Sequence, residues 1–370
     1  MMLKNKFVNY MKKEISLIGC GRIGFILEND RLRNKPCTHF GGASSAGLKF
    51  TSACDISNER LKEFGLKANI PSDGLFTDYK ILLKNRTPDM AAISTWTDTH
   101  ADIALQAIRS GVKIIILEKP VASSLALTKE IISEAKKNNC TIIVNHERRF
   151  DARYNKVRDM ISNGTIGEIK TVNARMLTGL YRGKSHIEEG GGSLLHDGTH
   201  LVDIIRFFFG DIITVQGEFK RFGRSSGFED SASAWLQNNT GIDIFLESGG
   251  GRKYFQFELE IWGTEGKILI GNGCNRLFMK KKSRLYTGFN DLQETKFPAI
   301  AQKNCFSELY KSAASMLKGK SAANISNIDD GYKALEIIHA IYYSSHLGRK
   351  KIELPVNPKD INLKKIFGIK

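Results

Sequence analysis

The stretch that decides the fold is EISLIGCGRIG, residues 14–24, in which a short apolar run passes directly into a G-x-G-x-x-G motif. In such a motif the first glycine permits a tight turn. The second lets a pyrophosphate approach the backbone, and the third lets a helix pack closely on the strand. The stretch predicts a dinucleotide site formed by Gly19, Gly21, Arg22, Ile23 and Gly24. A glycine turn in an α/β domain without a ligand is the alternative.

Outward from this stretch, strands and helices alternate up to about residue 145. The fourth predicted strand is apolar throughout, as expected for a parallel strand that is buried on both faces. Repeated alternation implies a parallel sheet with right-handed crossovers, so we predict a doubly wound Rossmann domain over residues 12–147. The predicted strands are Glu14–Cys20, Leu48–Asp55, Asp89–Thr95, Val112–Leu117 and Thr141–Val144, and the helices are Arg22–Asn29, Asn58–Lys67, Tyr79–Asn85, Asp98–Ser110 and Ser123–Asn138.

The pattern changes after Phe150, where strands with antiparallel character replace the alternation. This change predicts a second, α+β domain over residues 148–355 with a large, open and mostly antiparallel sheet. We interpret residues 1–11 as an N-terminal extension and residues 356–370 as a basic C-terminal tail. The predicted strands are Glu168–Leu177, Thr214–Phe222, Ala232–Gln237, Ile242–Glu247, Tyr254–Trp262 and Gly266–Gly271, and the helices are Asp151–Asn163, Gly198–Phe209, Phe306–Leu317 and Ile328–Ser345.

The formal net charge of +16 is concentrated in three segments: residues 1–13 carry +4, residues 271–320 carry +7 and residues 349–370 carry +5. These segments contain few aromatic residues between their charges, unlike a surface that stacks nucleic-acid bases. Solvated surface charge is the simpler interpretation, and weak attraction of anionic substrates is an alternative. We therefore expect no nucleic-acid partner.

Two further properties bear on where the protein works. No apolar run approaches the roughly 20 residues that a membrane helix needs, and the first residues lack the apolar core of a signal peptide. The six cysteines are scattered without CxxC spacing, which favours reduced thiols. We therefore expect a cytoplasmic protein without a membrane partner.

Asp55 ends the second predicted strand, at the sheet edge where a Rossmann domain binds its cofactor. A carboxylate there accepts hydrogen bonds from a ribose 2′-hydroxyl and repels a 2′-phosphate, which predicts NAD rather than NADP. Its distance from the glycines exceeds the usual spacing of about 20 residues, and the polar insertion Asp30–Gly47 accounts for the excess. Two alternatives stay open: Asp55 caps the next helix, or Arg60 reaches a phosphate and NADP is accepted.

Glu118, Lys119 and Pro120 end the fourth predicted strand at the same edge of the sheet. Pro120 restricts Lys119 to extended backbone geometry, which directs its side chain. A lysine in such a cleft can donate a hydrogen bond to a substrate hydroxyl. The alternative is an ordinary surface lysine at a strand end.

The densest polar cluster is GGGSLLHDGTHLVD, residues 190–203. His196 and His200 are four residues apart and His200 and Asp203 are three apart, so each pair shares a face of a helix. A carboxylate beside an imidazole orients it as a general base. This makes His200 the predicted base, tuned by His196, Asp197 or Asp203. A zinc site and a purely structural helix start are alternatives; because no HExxH glutamate or cysteine partner is present, we expect no metal.

Along the chain lie, in order, GCGRIG (residues 19–24), STWTDTH (94–100), EKP (118–120), RRF (148–150), GTIGE (164–168), the block 190–203 and WGTEG (262–266). Together these motifs resemble the Gfo/Idh/MocA oxidoreductases, named for glucose–fructose oxidoreductase and inositol dehydrogenase. The resemblance covers about residues 13–355 and rests most on EKP together with the late block. It implies NAD as cofactor, contacted by Asp55 and the glycine loop and also by Thr95, Trp96, His100, Glu118 and Lys119.

The resemblance also implies dehydrogenation of a sugar or cyclitol, with Lys119 and His200 at the reacting carbon. The open sheet would form the interface of a homodimer or homotetramer. Two residues depart from the family pattern: His196 stands where an aspartate is common, with Asp197 one place later, and Trp96 stands where a proline is common. These departures leave the substrate and the direction of the reaction open.

The predicted function is transfer of a hydride between NAD(P) and a hydroxyl carbon of a sugar, sugar derivative or cyclitol. An NAD-retaining glycoside hydrolase or lyase on the same scaffold is the alternative, and a non-catalytic NAD-binding regulator is a third hypothesis. The predicted substrate contacts are Lys119, Arg148, Arg149, Asp197 and His200, with Arg153, Arg175, Arg182 and Lys184 near the cleft entrance. These cations suit an anionic or nucleotide-linked sugar, but they can equally pair with local acids.

Overall fold

The computed structural model describes residues 13–180, 191–222 and 227–368. Within these ranges the chain forms two β-sheets with helices packed against them. The predicted α/β class, with a parallel sheet followed by a larger and mostly antiparallel one, is confirmed. None of the helices in these ranges is long and apolar enough to cross a membrane.

The first sheet consists of β1 (Ile15–Ile18), β2 (Ser52–Cys54), β3 (Leu75–Phe76), β4 (Met90–Ile93), β5 (Ile114–Leu117) and β6 (Thr141–Val144). All neighbours are parallel, in the order β3-β2-β1-β4-β5-β6. The strand order reverses between β1 and β4, and ligands bind such sheets at the carboxyl ends flanking this point. The surrounding helices are α1 (His39–Ser45), α2 (Asn58–Ala68), α3 (Tyr79–Asn85), α4 (Thr97–Arg109) and α5 (Leu125–Lys137).

The sequence explains this sheet through burial and capping. Every residue of β4 and β5 is buried, because helices cover both faces of a parallel sheet. The helices begin at side chains that satisfy free N–H groups: Ser57 accepts from the N–H of Arg60, and Ser124 accepts from the N–H of Leu127. The strand ends are thereby held in a rigid scaffold.

The second sheet has nine strands in the order β14-β13-β12-β11-β7-β10-β9-β8-β15, numbered along the chain. Only the central pair β7 and β10 is parallel among them. The strands are β7 (Ile169–Leu177), β8 (Ile212–Lys220), β9 (Ser231–Asn238), β10 (Asp243–Gly249), β11 (Gln256–Gly263), β12 (Gly266–Gly271), β13 (Cys274–Lys282), β14 (Asn290–Thr295) and β15 (Ile352–Glu353).

Six further helices accompany this sheet, and two of them cover one of its faces. They are α6 (Ala152–Ser162), α7 (Ser193–His196), α8 (Gly198–Phe209), α9 (Cys305–Leu317), α10 (Ile328–His346) and α11 (Leu363–Phe367). In β7, Val172 and Ala174 are buried in the same core as apolar residues of α8 and α10, whereas Arg175 is exposed on the opposite face. The alternation therefore leaves one broad face of the sheet open.

Packing connects the two halves of the chain. Leu309 and Tyr310 of α9, from the second half, share a buried cluster with Ile15 and Ile116 of the first sheet. Phe367, within the basic tail, is also buried, with its ring centroid 4.8 Å from that of Phe219. Segments late in the chain, α9 and the C-terminal tail, thus pack into hydrophobic cores formed by earlier segments.

The structure corrects the predicted helix Arg22–Asn29. The chain instead forms a turn and a short 3-10 helix at Ile26–Asn29, and an α-helix, α1, lies within the insertion Asp30–Gly47.

The physical reason lies in the insertion itself. The backbone N–H groups of His39 and Phe40 donate to the carbonyl oxygens of Ile23 and Gly24, both at 3.0 Å. A continuing α-helix would have used those carbonyls for its own hydrogen bonds. The insertion therefore ends the helical turn and packs against the glycine loop.

Candidate active site

The glycine loop after β1 makes the close approaches that its motif predicts. Gly19 has a φ of +98°, and a Cβ there would lie 2.6 Å from the carbonyl oxygen of Ser94. A Cβ on Gly24 would lie 2.3 Å from the carbonyl oxygen of Gly19, whereas one on Gly21 would meet open space. Gly19 and Gly24 are therefore required for packing, and Gly21 leaves room for a ligand beside the backbone.

The backbone N–H groups of Gly21, Arg22, Ile23 and Gly24 have no hydrogen-bond acceptor among the described residues. Successive unpartnered N–H groups at a turn form a cradle for anionic oxygens. The loop therefore fits the pyrophosphate of a dinucleotide. Its geometry is set by the turn, in which the N–H of Phe25 donates to the carbonyl of Gly21 at 2.9 Å.

Asp55 lies at the end of β2 and is nearly buried, with an exposed fraction of 7%. One carboxylate oxygen accepts from the backbone N–H of Cys20 at 2.8 Å, so Asp55 holds the glycine loop directly. The other oxygen accepts from the N–H of Ser57 at 2.8 Å and pairs with the guanidinium of Arg60 at 3.0 Å. Asp55 therefore caps the next segment, and its contact with a ribose stays a prediction.

His100 connects two loops at the cofactor edge of the first sheet. Its ring is buried, with Nδ1 2.8 Å from the carbonyl oxygen of Pro120 and Nε2 3.0 Å from that of Thr95. Burial lowers the pKa of His100. The enclosed ring positions Thr95, while the neighbouring Trp96 at the start of α4 is 54% exposed and accessible to a ligand.

A buried hydrogen-bond network surrounds Glu118 at the end of β5. One carboxylate oxygen lies 3.0 Å from His39 Nε2 and accepts from the amide of Asn145. The other ring nitrogen of His39 lies 2.8 Å from the hydroxyl of Tyr310. Burial alone would raise the pKa of Glu118, but His39, the charge of Lys119 and the Asn145 amide outweigh it and lower the pKa to about 2. Glu118 is therefore an ionised anchor beneath the cleft.

Lys119 follows this anchor and reaches across the cleft. Its ammonium donates to the backbone carbonyl of His196 at 2.9 Å, and its side chain stays partly exposed. The contact joins the end of β5 to the 190–203 block, although the two segments are distant in sequence.

His200 lies in the first turn of α8, where its N–H donates to the carbonyl of Asp197 at 3.2 Å. Its ring nitrogen Nδ1 is buried and has no hydrogen-bond partner among the described residues. Burial lowers the pKa of His200 well below its ordinary value, and the charges of Lys119 and Arg148 act in the same direction. The ring is therefore neutral near neutral pH and able to accept a proton.

His196 and Asp197 border the same cleft. His196 Nδ1 lies 3.2 Å from Asp197 Oδ1, and the two side chains are 38% and 30% exposed. Across residues 13–180, 191–222 and 227–368, no group of three or more His, Cys, Asp or Glu residues has the arrangement of a metal site. The contact of His196 and Asp197 with a substrate stays a prediction.

The structure corrects the expected role of Asp203, which does not contact His200. Its buried carboxylate accepts from Arg149 Nε at 2.9 Å and lies 3.0 Å from His146 Nδ1. Burial alone would raise the pKa of Asp203, but the neighbouring His146 ring and the Arg149 guanidinium outweigh it and lower the pKa to about 2. Helical spacing places Asp203 on the face of His200, but side chains from the segment after β6 reach the carboxylate.

Arg149 also differs from its predicted role as a substrate contact. Its guanidinium is 6% exposed, pairs with Asp203 and Asp330 at 2.9 Å each, and donates to the carbonyl of Ile325 at 2.8 Å. Arg149 therefore links the segment after β6 to α8 and α10 instead of facing the cleft.

Arg148 has different contacts from the neighbouring Arg149. Its guanidinium lies 3.9 Å from the ring centroid of Phe257, and its side chain is 14% exposed. It also pairs with Glu147 at 3.3 Å, and its charge contributes to the lowered pKa of His200. Its contact with a substrate stays a prediction.

The other predicted cations divide into two groups. Arg153 is bound to Asp151 at 2.7 Å and to the carbonyl of Gly271 at 3.3 Å. Arg175 is exposed on the open face of the second sheet, and its predicted place at the cleft entrance stays a prediction. Arg182 and Lys184 lie outside the described residues.

Sequence reasoning missed four residues of this region: His39, Asn145, His146 and Tyr310. Asn145 and His146 directly precede the RRF segment, so their position after β6 was an available signal. His39 and Tyr310 lie in the insertion and in a late helix, and no motif connects them.

Comparison with known families settles the relationship. Residues 13–146 match the model of an oxidoreductase family with an NAD-binding Rossmann fold, and residues 154–269 match the GFO/IDH/MocA C-terminal domain. This chain belongs to the Gfo/Idh/MocA oxidoreductase family. The predicted resemblance is confirmed, and the first domain of this oxidoreductase is an NAD-binding domain.

Several relatives with assigned names are dehydrogenases. The chain is 24% identical to trans-1,2-dihydrobenzene-1,2-diol dehydrogenase of Xenopus tropicalis over 295 residues, covering 76% of this chain and 88% of that protein. It is 24% identical to myo-inositol 2-dehydrogenase of Thermotoga maritima over 266 residues, covering 70% and 75%.

Solved structures share the fold at lower identity. The aldose-aldose oxidoreductase from Caulobacter crescentus, complexed with glycerol, superposes with a TM-score of 0.76 at 20% identity, over 93% of this chain and 100% of that one. The WlbA dehydrogenase from Bordetella pertussis, in complex with NADH and UDP-GlcNAcA, gives 0.74 at 19% identity, over 94% and 100%.

Proposed function

We propose that this oxidoreductase is an NAD-dependent dehydrogenase that oxidises a hydroxyl carbon of a sugar, sugar derivative or cyclitol. The juxtaposition of Lys119 and His200 carries the proposal. The Lys119 ammonium binds the carbonyl of His196, and its charge acts on the pKa of His200. A cation and a neutral base at one place suit removal of a hydroxyl proton. Relatives named myo-inositol 2-dehydrogenase and D-apiose dehydrogenase support the substrate class.

In this mechanism His200 accepts the proton of the substrate hydroxyl, and the Lys119 ammonium donates a hydrogen bond to the same oxygen. Bound NAD would supply the hydride acceptor. Lys119 and Arg148 stabilise the negative charge that develops on the oxygen, because they are held in a partly desolvated cleft. The same two cations disfavour a lasting positive charge on His200, which promotes release of the proton after the reaction.

We propose an anionic substrate, such as a uronic acid or a nucleotide-linked sugar, with Arg148 as its charged contact. Arg148 retains an accessible fraction while Arg149 is fully engaged in the protein. The complex of WlbA dehydrogenase with UDP-GlcNAcA supports a ligand of this kind on the same fold. For the cofactor, the carboxylate of Asp55 beside the glycine loop supports NAD over NADP.

The test is formation of NADH by the full-length protein with neutral sugars, cyclitols, uronic acids and nucleotide sugars, each offered with NAD and with NADP. We expect turnover with NAD and an anionic sugar. Lys119→Ala should lower turnover by about 10²–10⁴-fold, the scale for losing a positioned polar group at the reacting atom. Lys113→Ala, an exposed lysine before β5, is the matched control and should keep it. Product formation without net NADH would contradict the proposal and favour a hydrolase or lyase.

A further inference from the structure

His146 is a buried histidine beside the cleft that the mechanism above does not use. It follows β6 directly and has an exposed fraction of 1%. Its backbone is fixed on both sides: its N–H donates to the carbonyl of Val144 at 2.7 Å, and its own carbonyl accepts from the N–H of Arg149 at 3.0 Å. The backbone of His146 is therefore held in place by the scaffold.

One side of the ring faces a carboxylate. His146 Nδ1 lies 3.0 Å from Asp203 Oδ1, and Arg149 holds that carboxylate through Nε and Nη2. A buried carboxylate at this distance favours a proton on Nδ1, as in other carboxylate–histidine pairs. The remaining ring nitrogen, Nε2, is then an acceptor.

The ring of the predicted base lies close to the ring of His146. The ring centroids of His146 and His200 lie 6.3 Å apart at an interplanar angle of 74°. Both ring nitrogens of His146 and Nδ1 of His200 are buried and have no hydrogen-bond partner among the described residues. With the centroids this far apart, no two nitrogens of the rings can approach closer than roughly 4 Å, so a hydrogen-bonded link between the rings needs a bridging water.

We propose that His146 is a positioning residue that fixes the tautomer of His200 through one bridging water. The proposal rests on the proposed role of His200 as the base. In this arrangement His200 Nδ1–H donates to the water, the water donates to His146 Nε2, and the proton on His146 Nδ1 faces the carboxylate of Asp203, 3.0 Å away. His200 Nε2 then keeps its lone pair for the substrate hydroxyl. No proton moves along the chain of hydrogen bonds, so the step remains balanced by proton transfer to His200 alone.

Two variants separate this role from a merely structural one. His146→Leu removes both polar atoms, whereas His146→Gln keeps a donor and an acceptor on one side chain. We expect His146→Leu to lower kcat by about 10–100-fold, the usual scale for losing an outer partner of a functional histidine, with the KM for NAD unchanged. His146→Gln should restore most of kcat. His339→Leu is the matched control, since His339 is also buried with an unpartnered Nε2 but lies in α10.

The direct readout is the tautomer of His200, measured by ¹⁵N NMR on the full-length protein labelled at histidine, without substrate or cofactor. We expect the Nδ1–H form in the unaltered protein and in His146→Gln, and a mixture of both forms in His146→Leu. An Nε2–H form in the unaltered protein, or an unchanged tautomer and kcat in a folded His146→Leu, would overturn the proposal. Because this spectrum needs no turnover, failure here is distinct from failure of Lys119→Ala to lower NADH formation.

Discussion

The two walls of the cleft differ in how completely their buried polar side chains are hydrogen-bonded. On the wall formed by the first sheet, Glu118 and His39 have partners for every polar side-chain atom, and only the amide oxygen of Asn145 in their network lacks one among the described residues. On the wall formed by α8 and the segment after β6, His146 and His200 retain ring nitrogens without hydrogen-bond partners in the part of the chain that is described. An unpaired buried polar group costs about 1–3 kcal/mol. The comparison indicates that the first wall is scaffold, and that the second is completed by ligand or water.

The largest expected effect is on turnover and comes from altering the second wall. His200→Ala should lower turnover by about 10²–10⁴-fold, because it removes the proton acceptor, while NAD affinity changes little. The comparison variant is His339→Ala, in which a buried histidine with a pKa lowered to about 3 by burial is lost from α10. That variant should lower the Tm and leave turnover close to normal. Steady-state kinetics and thermal unfolding measure both, and near-normal turnover in His200→Ala would refute the assignment of the base.

A smaller effect, on the free energy of unfolding, is expected from altering the first wall. The pKa of Glu118 is about 2 in the folded protein against an ordinary value of 4.5. Because the folded value is the lower one, the stabilisation is present above the ordinary pKa and is lost as the pH falls toward the folded pKa. Between about pH 6 and pH 3, the free energy of unfolding should fall by about 2 kcal/mol more in the unaltered protein than in Glu118→Gln.

Urea unfolding at the two pH values measures this difference. Asp203, whose pKa is also lowered to about 2, titrates in the same range in both proteins and therefore cancels. Equal pH dependence in the two proteins would show that the carboxylate of Glu118 does not anchor the first wall in ionised form.

The smallest expected effect on turnover concerns a third region, the open face of the second sheet. Trp235 and Phe245 stack there with ring centroids 6.4 Å apart and are 41% and 47% exposed. We propose that this apolar face forms the interface of a homodimer or homotetramer. Phe245→Glu should yield a monomer by light scattering at micromolar concentration, with turnover changed less than about tenfold. Leu66→Glu, 82% exposed on α2, is the control; a monomeric unaltered protein would contradict the proposal.

Much of the scaffold could be predicted because its signals are local. The glycine loop directly follows an apolar strand, and Lys119 and His200 lie in contiguous motifs. The partners of these groups could not be predicted in the same way. The contact of His39 with Glu118 joins residues 79 positions apart, and that of Arg149 with Asp203 joins residues 54 positions apart. Such contacts depend on how two halves of the chain pack, which no local spacing reveals.

Four strands were not predicted from the sequence, and the reason is different. In β13 and β14 the outer residues are charged or polar, so the hairpin lacks the apolar alternation that identifies a strand. β3 and β15 contain only two residues each, too few to carry a pattern. The predicted helix Arg22–Asn29 was wrong because of a tertiary contact: backbone N–H groups of the insertion donate to the carbonyl oxygens of Ile23 and Gly24.

The measurement that tests the central claim most directly is a double-mutant cycle on kcat for Lys119→Ala and His200→Ala. If both side chains act on one substrate oxygen, their effects depend on each other, and the double variant should be little slower than the slower single variant. Independent roles would instead multiply the two losses. A fully multiplicative loss, or near-normal turnover in either single variant, would contradict convergence of Lys119 and His200 on the reacting group.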